Sequence, residues 1–169
     1  MAELTVGQPL TRWFPQPLDT HAAVDKFVGD ALTLAETQQA LPFVIVDSEG
    51  RIAGSTRFGA IAPEHRRVEI GWTFVGAAWQ RTPVNTAAKL LLMEFGFERL
   101  GCIRIELKTD SRNAVSRAAI TRIGATEEGI LRHHMICADG HLRDTVYFSI
   151  LAHEWPAVKA GLRAKLALR

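Results

Sequence analysis

Apolar positions recur along this chain with two periods, and the switches between them predict most of its elements. Val24, Phe27, Val28, Ala31 and Ala35 follow helical spacing, with Asp19 or Thr20 available as the cap. Phe43–Val46 reads as a strand, Ser48-Glu49-Gly50 as a turn, and Arg51–Phe58 as the returning arm of a hairpin. Val68–Val75 is the next strand, and a loop from Gly76 to Thr82 leads into a helix from Pro83 to about Leu100. That helix is expected to bury Ala87, Leu90, Leu91 and Phe95 and to stop at Gly101.

From Ile103 to Thr109 the period is two, with Ile103, Ile105 and Leu107 on one face and Arg104, Glu106 and Lys108 on the other. Asn113–Ile123 is a short helix ended by Gly124. Ala125–Cys137 and His141–Leu151 form a hairpin about Ala138-Asp139-Gly140, and Glu154–Leu168 closes as an amphipathic helix. Met1–Leu18 shows neither period and is broken by Pro15 and Pro17. This order predicts an α/β fold with a mixed, mainly antiparallel sheet and a central parallel strand–helix–strand crossover.

The chain has 169 residues, a length suited to one domain spanning 1–169. Hydrophobic residues at 47% and charged residues at 22% exclude a disordered or low-complexity protein. A net charge of +2 gives no footprint for nucleic acid or an anionic membrane, and no apolar run is long enough to span a bilayer. Cys102 and Cys137 lack metal or redox spacing, so neither a disulfide framework nor a metal site is expected. A cytoplasmic protein is the expectation.

The candidate chemistry lies where the strand ending near Trp72 runs through Trp79-Gln-Arg-Thr-Pro-Val-Asn-Thr86 into a helix. Free amides at a helix start attract anions. Thr82 is the expected N-cap and Pro83 the first helical residue, leaving the amides of Val84, Asn85 and Thr86 open beside Gln80 and Arg81. No Gly-Lys-Ser/Thr ending and no GxGxxG is present, which excludes the common nucleotide loops. By itself the segment also fits an ordinary capped helix. His133 and His134 are neighbours on a strand and point to opposite faces, and no GxSxG elbow supports a hydrolase.

Glu69-Ile-Gly-Trp72, the Trp79–Thr86 stretch, Thr109-Asp-Ser-Arg-Asn113-Ala-Val-Ser116-Arg117 and Ile123-Gly-Ala125 together resemble the GNAT superfamily of acyl-CoA N-acyltransferases. The resemblance is nearest to the branch of ribosomal-protein alanine N-acetyltransferases, and Asp139–Ile150 with Glu154-Trp-Pro156 is similar to that branch too. It implies acetyl-CoA as cosubstrate, no metal, and an amine acceptor that is a protein N-terminus or a small molecule. Gln80, Arg81, Thr82, Val84, Asn85 and Thr86 would then correspond to the pyrophosphate loop, with Pro83 where that pattern has a glycine. Asn113 would contact the pantetheine arm, Ser116 would lie near the thioester sulfur as the acid, and Arg117 would reach a CoA phosphate. A backbone N–H of Thr73–Phe74 would face the developing oxyanion. The plainer alternative makes Asn113 a cap and Ser116 a first-turn residue.

Glu69 is the leading base, since an apolar strand position raises a carboxyl pKa toward neutrality. The alternative is an ion pair with Arg57, Arg67 or Arg104, which would lower it. Glu106 is the second candidate base and Tyr147 the second candidate acid. Trp13 and Phe14 would line the acceptor pocket by resemblance. The family's first strand is expected to be missing from Met1–Thr11, and the open sheet edge this leaves favours a homodimer. A non-catalytic acyl-CoA-binding module is the alternative function, favoured by Pro83.

Overall fold

The computed structural model describes residues 1–168. A short helix α1 (Ala2–Thr5) and a 3-10 turn precede α2 (His21–Glu36), which is capped by Thr20 accepting from the Ala23 amide at 3.1 Å. Then come β1 (Leu41–Val46), β2 (Ile52–Ala62), β3 (Arg67–Val75), α3 (Val84–Glu94), β4 (Arg104–Asp110), α4 (Ala114–Arg122), β5 (Thr126–Ile136), β6 (Leu142–Leu151) and α5 (Trp155–Ala167). The six strands form one sheet in the order β1-β2-β3-β4-β6-β5, and β3–β4 is its parallel pair. No strand precedes β1 among the described residues, so the opening segment is helical and β1 forms a sheet edge.

The two faces of the sheet differ in chemistry because the strands alternate. Phe58, Val68, Ile70, Ile105, Leu107, Val146, Phe148 and Ile150 form a core with Leu90 and Met93 of α3, Ile120 of α4 and Leu162 of α5. The alternate residues, including Arg57, Glu69, Glu106, Lys108, Tyr147 and Ser149, line the opposite face. There α2 packs Val24 and Phe27 with Leu18 and Phe74 in a smaller cluster.

A bulge in β3 changes this alternation midway. Ser55 pairs with Phe74 and Arg57 with Gly71, so β3 carries one residue more than β2 across that interval. Trp72 takes up the excess with φ 50°, a left-handed conformation unusual for an aromatic residue. The bulge sends Phe74 toward α2 and turns Thr73 toward α3. Gly59 makes room for it, since a Cβ there would come within 2.4 Å of the Trp72 ring.

Two expectations about α3 are corrected. Its α-helical part stops at Glu94 and Phe95–Arg99 is a π-helical turn, which rotates the helix face. The buried stripe of α3 runs through Thr86, Lys89, Leu90 and Met93 at helical spacing, which leaves Leu91 and Phe95 exposed, while Leu92 and Phe97 are also buried. Leu91 instead lines an apolar cavity of about 790 Å³ between α3 and β1, with Asp47 and Arg51 among its lining residues.

Candidate active site

The strands β3 and β4 pair only through Arg67–Arg104, Val68–Ile105 and Glu69–Glu106. Beyond that point β3 stays with β2, and β4 stays with β6. A wedge opens in the middle of the sheet, edged by backbone groups that no neighbouring strand takes up. Both helices that follow the parallel strands begin at its open end, α3 after β3 and α4 after β4. Arg122 of α4 donates to the Thr86 hydroxyl of α3 at 3.0 Å, tying the two helices together.

Glu69 belongs to the last paired step, at the point where the strands part. It is 3% exposed, and its Oε2 lies 2.8 Å from Lys108 Nζ. The expected arginine partners are corrected: Arg67 and Arg104 both pair with Glu106, at 3.3 and 2.8 Å, and Arg104 also binds Glu128. Burial raises the Glu69 pKa, the Lys108 ammonium opposes that rise, and the net shift is upward. Glu106 is held by two guanidinium groups, as a strut across β3 and β4.

The loop before α3 departs from its expected capping. Pro83, not Thr82, is the N-cap, and the Thr82 hydroxyl donates back to the Trp79 carbonyl at 2.7 Å while accepting a long 3.4 Å contact from the Val84 amide. The first intrahelical bond runs from the Ala87 amide to the Pro83 carbonyl. The amides of Asn85 and Thr86 therefore lie ahead of the ladder. Asn85 Oδ1 is buried without a hydrogen-bond partner. Gln80 donates to the Val75 carbonyl at 3.3 Å, and Arg81 has φ 60° in the loop.

Asn113 is the cap of α4, accepting from the Ser116 amide at 3.1 Å, and Ser116 is half-buried in the first turn. Arg117 is held at the helix surface by Glu127 at 3.0 Å. Reaching a phosphate would require it to leave that carboxylate. Tyr147 lies on the polar face with its ring 5.6 Å from Lys108 Nζ. Trp13 sits against the guanidinium groups of Arg12 and Arg112, and Phe14 packs on Phe27.

Lys89 was missed in the sequence because a lysine in an amphipathic helix reads as surface. It is 5% exposed, and its Nζ donates to Thr73 Oγ1 at 2.7 Å and to Thr56 Oγ1 at 3.4 Å, the two hydroxyls lying 2.8 Å apart. It thus joins α3 to the bulge of β3. Burial, uncompensated by any carboxylate, pulls its pKa down to about 7.

Both cysteines are free, Cys102 in the core and Cys137 half-buried, and burial raises both thiol pKa values. Neither is poised as a thiolate nucleophile. Cys102→Ala and Cys137→Ala are expected to keep turnover within a few-fold, under about 1 kcal/mol of barrier. A trapped acetyl-cysteine in mass spectra would contradict this. No cluster of metal-ligating side chains occurs among the described residues.

The sequence and the fold have counterparts among known proteins. Residues 2–126 match the acetyltransferase (GNAT) domain family, and the chain belongs to that family. It is similar to the Bacillus subtilis protein named "Putative ribosomal N-acetyltransferase YdaF", with 31% identity over 111 residues, or 66% of this chain and 60% of that one. The chain thus spans less than two thirds of that relative's length. A GCN5-related N-acetyltransferase from Brucella melitensis superposes with TM-score 0.84 at 34% identity, covering 92% of this chain and 70% of that one. RimJ of Mycobacterium smegmatis, solved with CoA-disulfide, gives TM-score 0.74 at 26% identity, covering 87% and 70%.

Proposed function

We propose that this chain transfers an acetyl group from acetyl-CoA to a primary amine by direct attack in a ternary complex. The observation that carries the reading is the splay of β3 from β4 after Glu69 and Glu106. A thioester arm entering the wedge would meet the side of Ile70–Val75 that faces away from β2, where β4 no longer pairs, with an N–H of the Thr73–Phe74 segment toward its carbonyl oxygen. The amides of Asn85 and Thr86 and the unpartnered Asn85 Oδ1 support binding of a polar, phosphate-bearing cofactor end at the start of α3.

In this reading Glu69 takes the proton of the acceptor amine, directly or through water. The amine nitrogen then bonds to the acetyl carbonyl carbon, the C–S bond breaks, and the departing thiolate takes a proton from Ser116 or Tyr147. The acceptor approaches the polar face, walled by α2 and the Trp13–Phe14 segment. The exposed apolar edge of β1, with Val44 and Val46 each 54% exposed, supports a homodimer. Two unpaired cysteines suit a reducing, cytoplasmic setting.

Calorimetry with acetyl-CoA, run beside thiol release across amines and N-terminal peptides, tests the reading. Binding without turnover on any acceptor would favour a non-catalytic acyl-CoA-binding module. Arg81→Glu is expected to weaken acetyl-CoA binding about tenfold or more, or about 1.4 kcal/mol. The remote reversal Lys165→Glu is expected to leave binding unchanged. Equal, small effects of both would remove the loop from the binding site.

A further inference from the structure

Arg57, in the middle of β2, is a guanidinium buried to 3% exposure. Its carbon lies 4.3 Å from the ring centre of Phe27 and 4.9 Å from that of Trp72. Its Nε and Nη2 are both buried with no hydrogen-bond partner among the described residues. Burying such donors unpaired is costly, and more so when the group is charged. Aromatic faces attract the cation but do not satisfy its N–H groups. Burial lowers the Arg57 pKa, with Asp30 the one charge that supports it.

The two orphaned donors are the informative pair. Nε–H and Nη2–H leave the same edge of the planar guanidinium side by side, the fork that two carboxylate oxygens occupy together. The surroundings say where that ligand belongs. Arg57 pairs across the ladder with Gly71, and a Cβ on Gly71 would come within 2.6 Å of Glu69 Oε1. The Glu69 carboxyl therefore leans over the residue opposite Arg57, yet it pairs with Lys108 and not with the guanidinium. A fixed positive fork and a carboxyl acting on an amine thus lie within one small molecule's reach on the same face.

We propose that the acceptor amine carries a carboxylate, held bidentately by the Nε–Nη2 edge of Arg57 while its amino group faces Glu69. The inference rests on the acetyl-transfer reading above and names the class of acceptor. One carboxylate balances one guanidinium, whereas a phosphate dianion would leave surplus buried charge. A polyamine would place a cation against Arg57, and like charges in a buried site repel.

The test uses matched amines: glycine, β-alanine and 4-aminobutyrate, each beside its carboxamide, together with 3-aminopropylphosphonate and spermidine. Binding to the full chain is measured by calorimetry with CoA present, and kcat/KM with acetyl-CoA. At least one carboxylate is expected to outdo its carboxamide by about tenfold or more, and to outdo the phosphonate and spermidine. Arg57→Met is expected to erase that preference while keeping CoA affinity. Arg57→Lys, which keeps the charge without the fork, is expected to restore only part of it. Carboxylates equal to carboxamides throughout in the unaltered protein would overturn the proposal, whether or not the variants fold. So would a preference that survives Arg57→Met, or a stronger preference for phosphonate. Failure of acetyl-CoA itself to bind would strike the acetyl-transfer reading instead, and the titration with acetyl-CoA alone reports it separately.

Discussion

Glu69→Gln is expected to lower turnover by about 10²-fold or more, the lower end of a general-base contribution, while leaving acetyl-CoA affinity and the fold intact. The amide keeps the shape of a side chain that is 3% exposed. Burial already disfavours the charged form of the carboxyl, so a neutral replacement suits the site. Lys108 loses its partner but keeps 23% side-chain exposure, enough for water to take over. The pH profile provides the second readout. A base works deprotonated, so kcat/KM should fall as pH falls through the Glu69 pKa, at a pH above the ordinary carboxylate range. In Glu69→Gln that acidic limb should vanish. A stable variant with nearly unchanged turnover would take Glu69 out of the mechanism and leave a water-mediated route. Glu106 is a poor replacement, since Arg67 and Arg104 both hold it.

Lys89→Met is expected to stabilise the protein near neutral pH, by an amount that shrinks as pH rises. The folded chain holds Lys89 with a pKa of about 7, against the ordinary 10.5. Between those values the unfolded chain carries a proton that the folded chain has released, so stability rises with pH across that window. Below about 7 the penalty is constant and largest. At 1.36 kcal/mol per pK unit, a shift of this size amounts to about 5 kcal/mol as an upper figure. For a chain of this length that corresponds to roughly 10–20 °C in melting temperature. Methionine fills the volume, and the Thr73 and Thr56 hydroxyls retain each other and the Gly71 carbonyl. Melting curves of both proteins from pH 6 to 10 check this. A difference that stays flat across that range would mean Lys89 titrates alike folded and unfolded.

Much of the fold was legible because it depends on local periodicity. The alternation of Ile103–Thr109 put Ile105 and Leu107 in the core and Glu106 and Lys108 on the other face, as found, but Ile103 precedes β4 and is 48% exposed. Thr20, Asn113 and Gly124 act where their side-chain acceptors, or a positive φ, are needed. The misplaced residues have two causes: a buried stripe that carries polar side chains, and local breaks in period that sequence spacing does not announce. The buried stripe of α3 includes Thr86 and Lys89 and so leaves Leu91 and Phe95 exposed, and the bulge at Trp72 exchanged the directions of Thr73 and Phe74. Thr82 yielded the cap to Pro83 because its hydroxyl found the nearer Trp79 carbonyl.

The sequence by itself determined the order of elements, the mixed sheet with its crossover, the family resemblance and the carboxyl at Glu69. These follow from spacing and residue type within a few positions of one another. Tertiary structure alone decided which charges meet: Lys108 rather than an arginine beside Glu69, Arg117 spent on Glu127, Lys89 buried on Thr73, and Arg57 buried with Nε and Nη2 lacking hydrogen-bond partners among the described residues. The physical reason is that a pairing energy depends on distance and burial across strands remote in sequence. One residue of register, such as the extra one in β3, moves a side chain from one face of the sheet to the other.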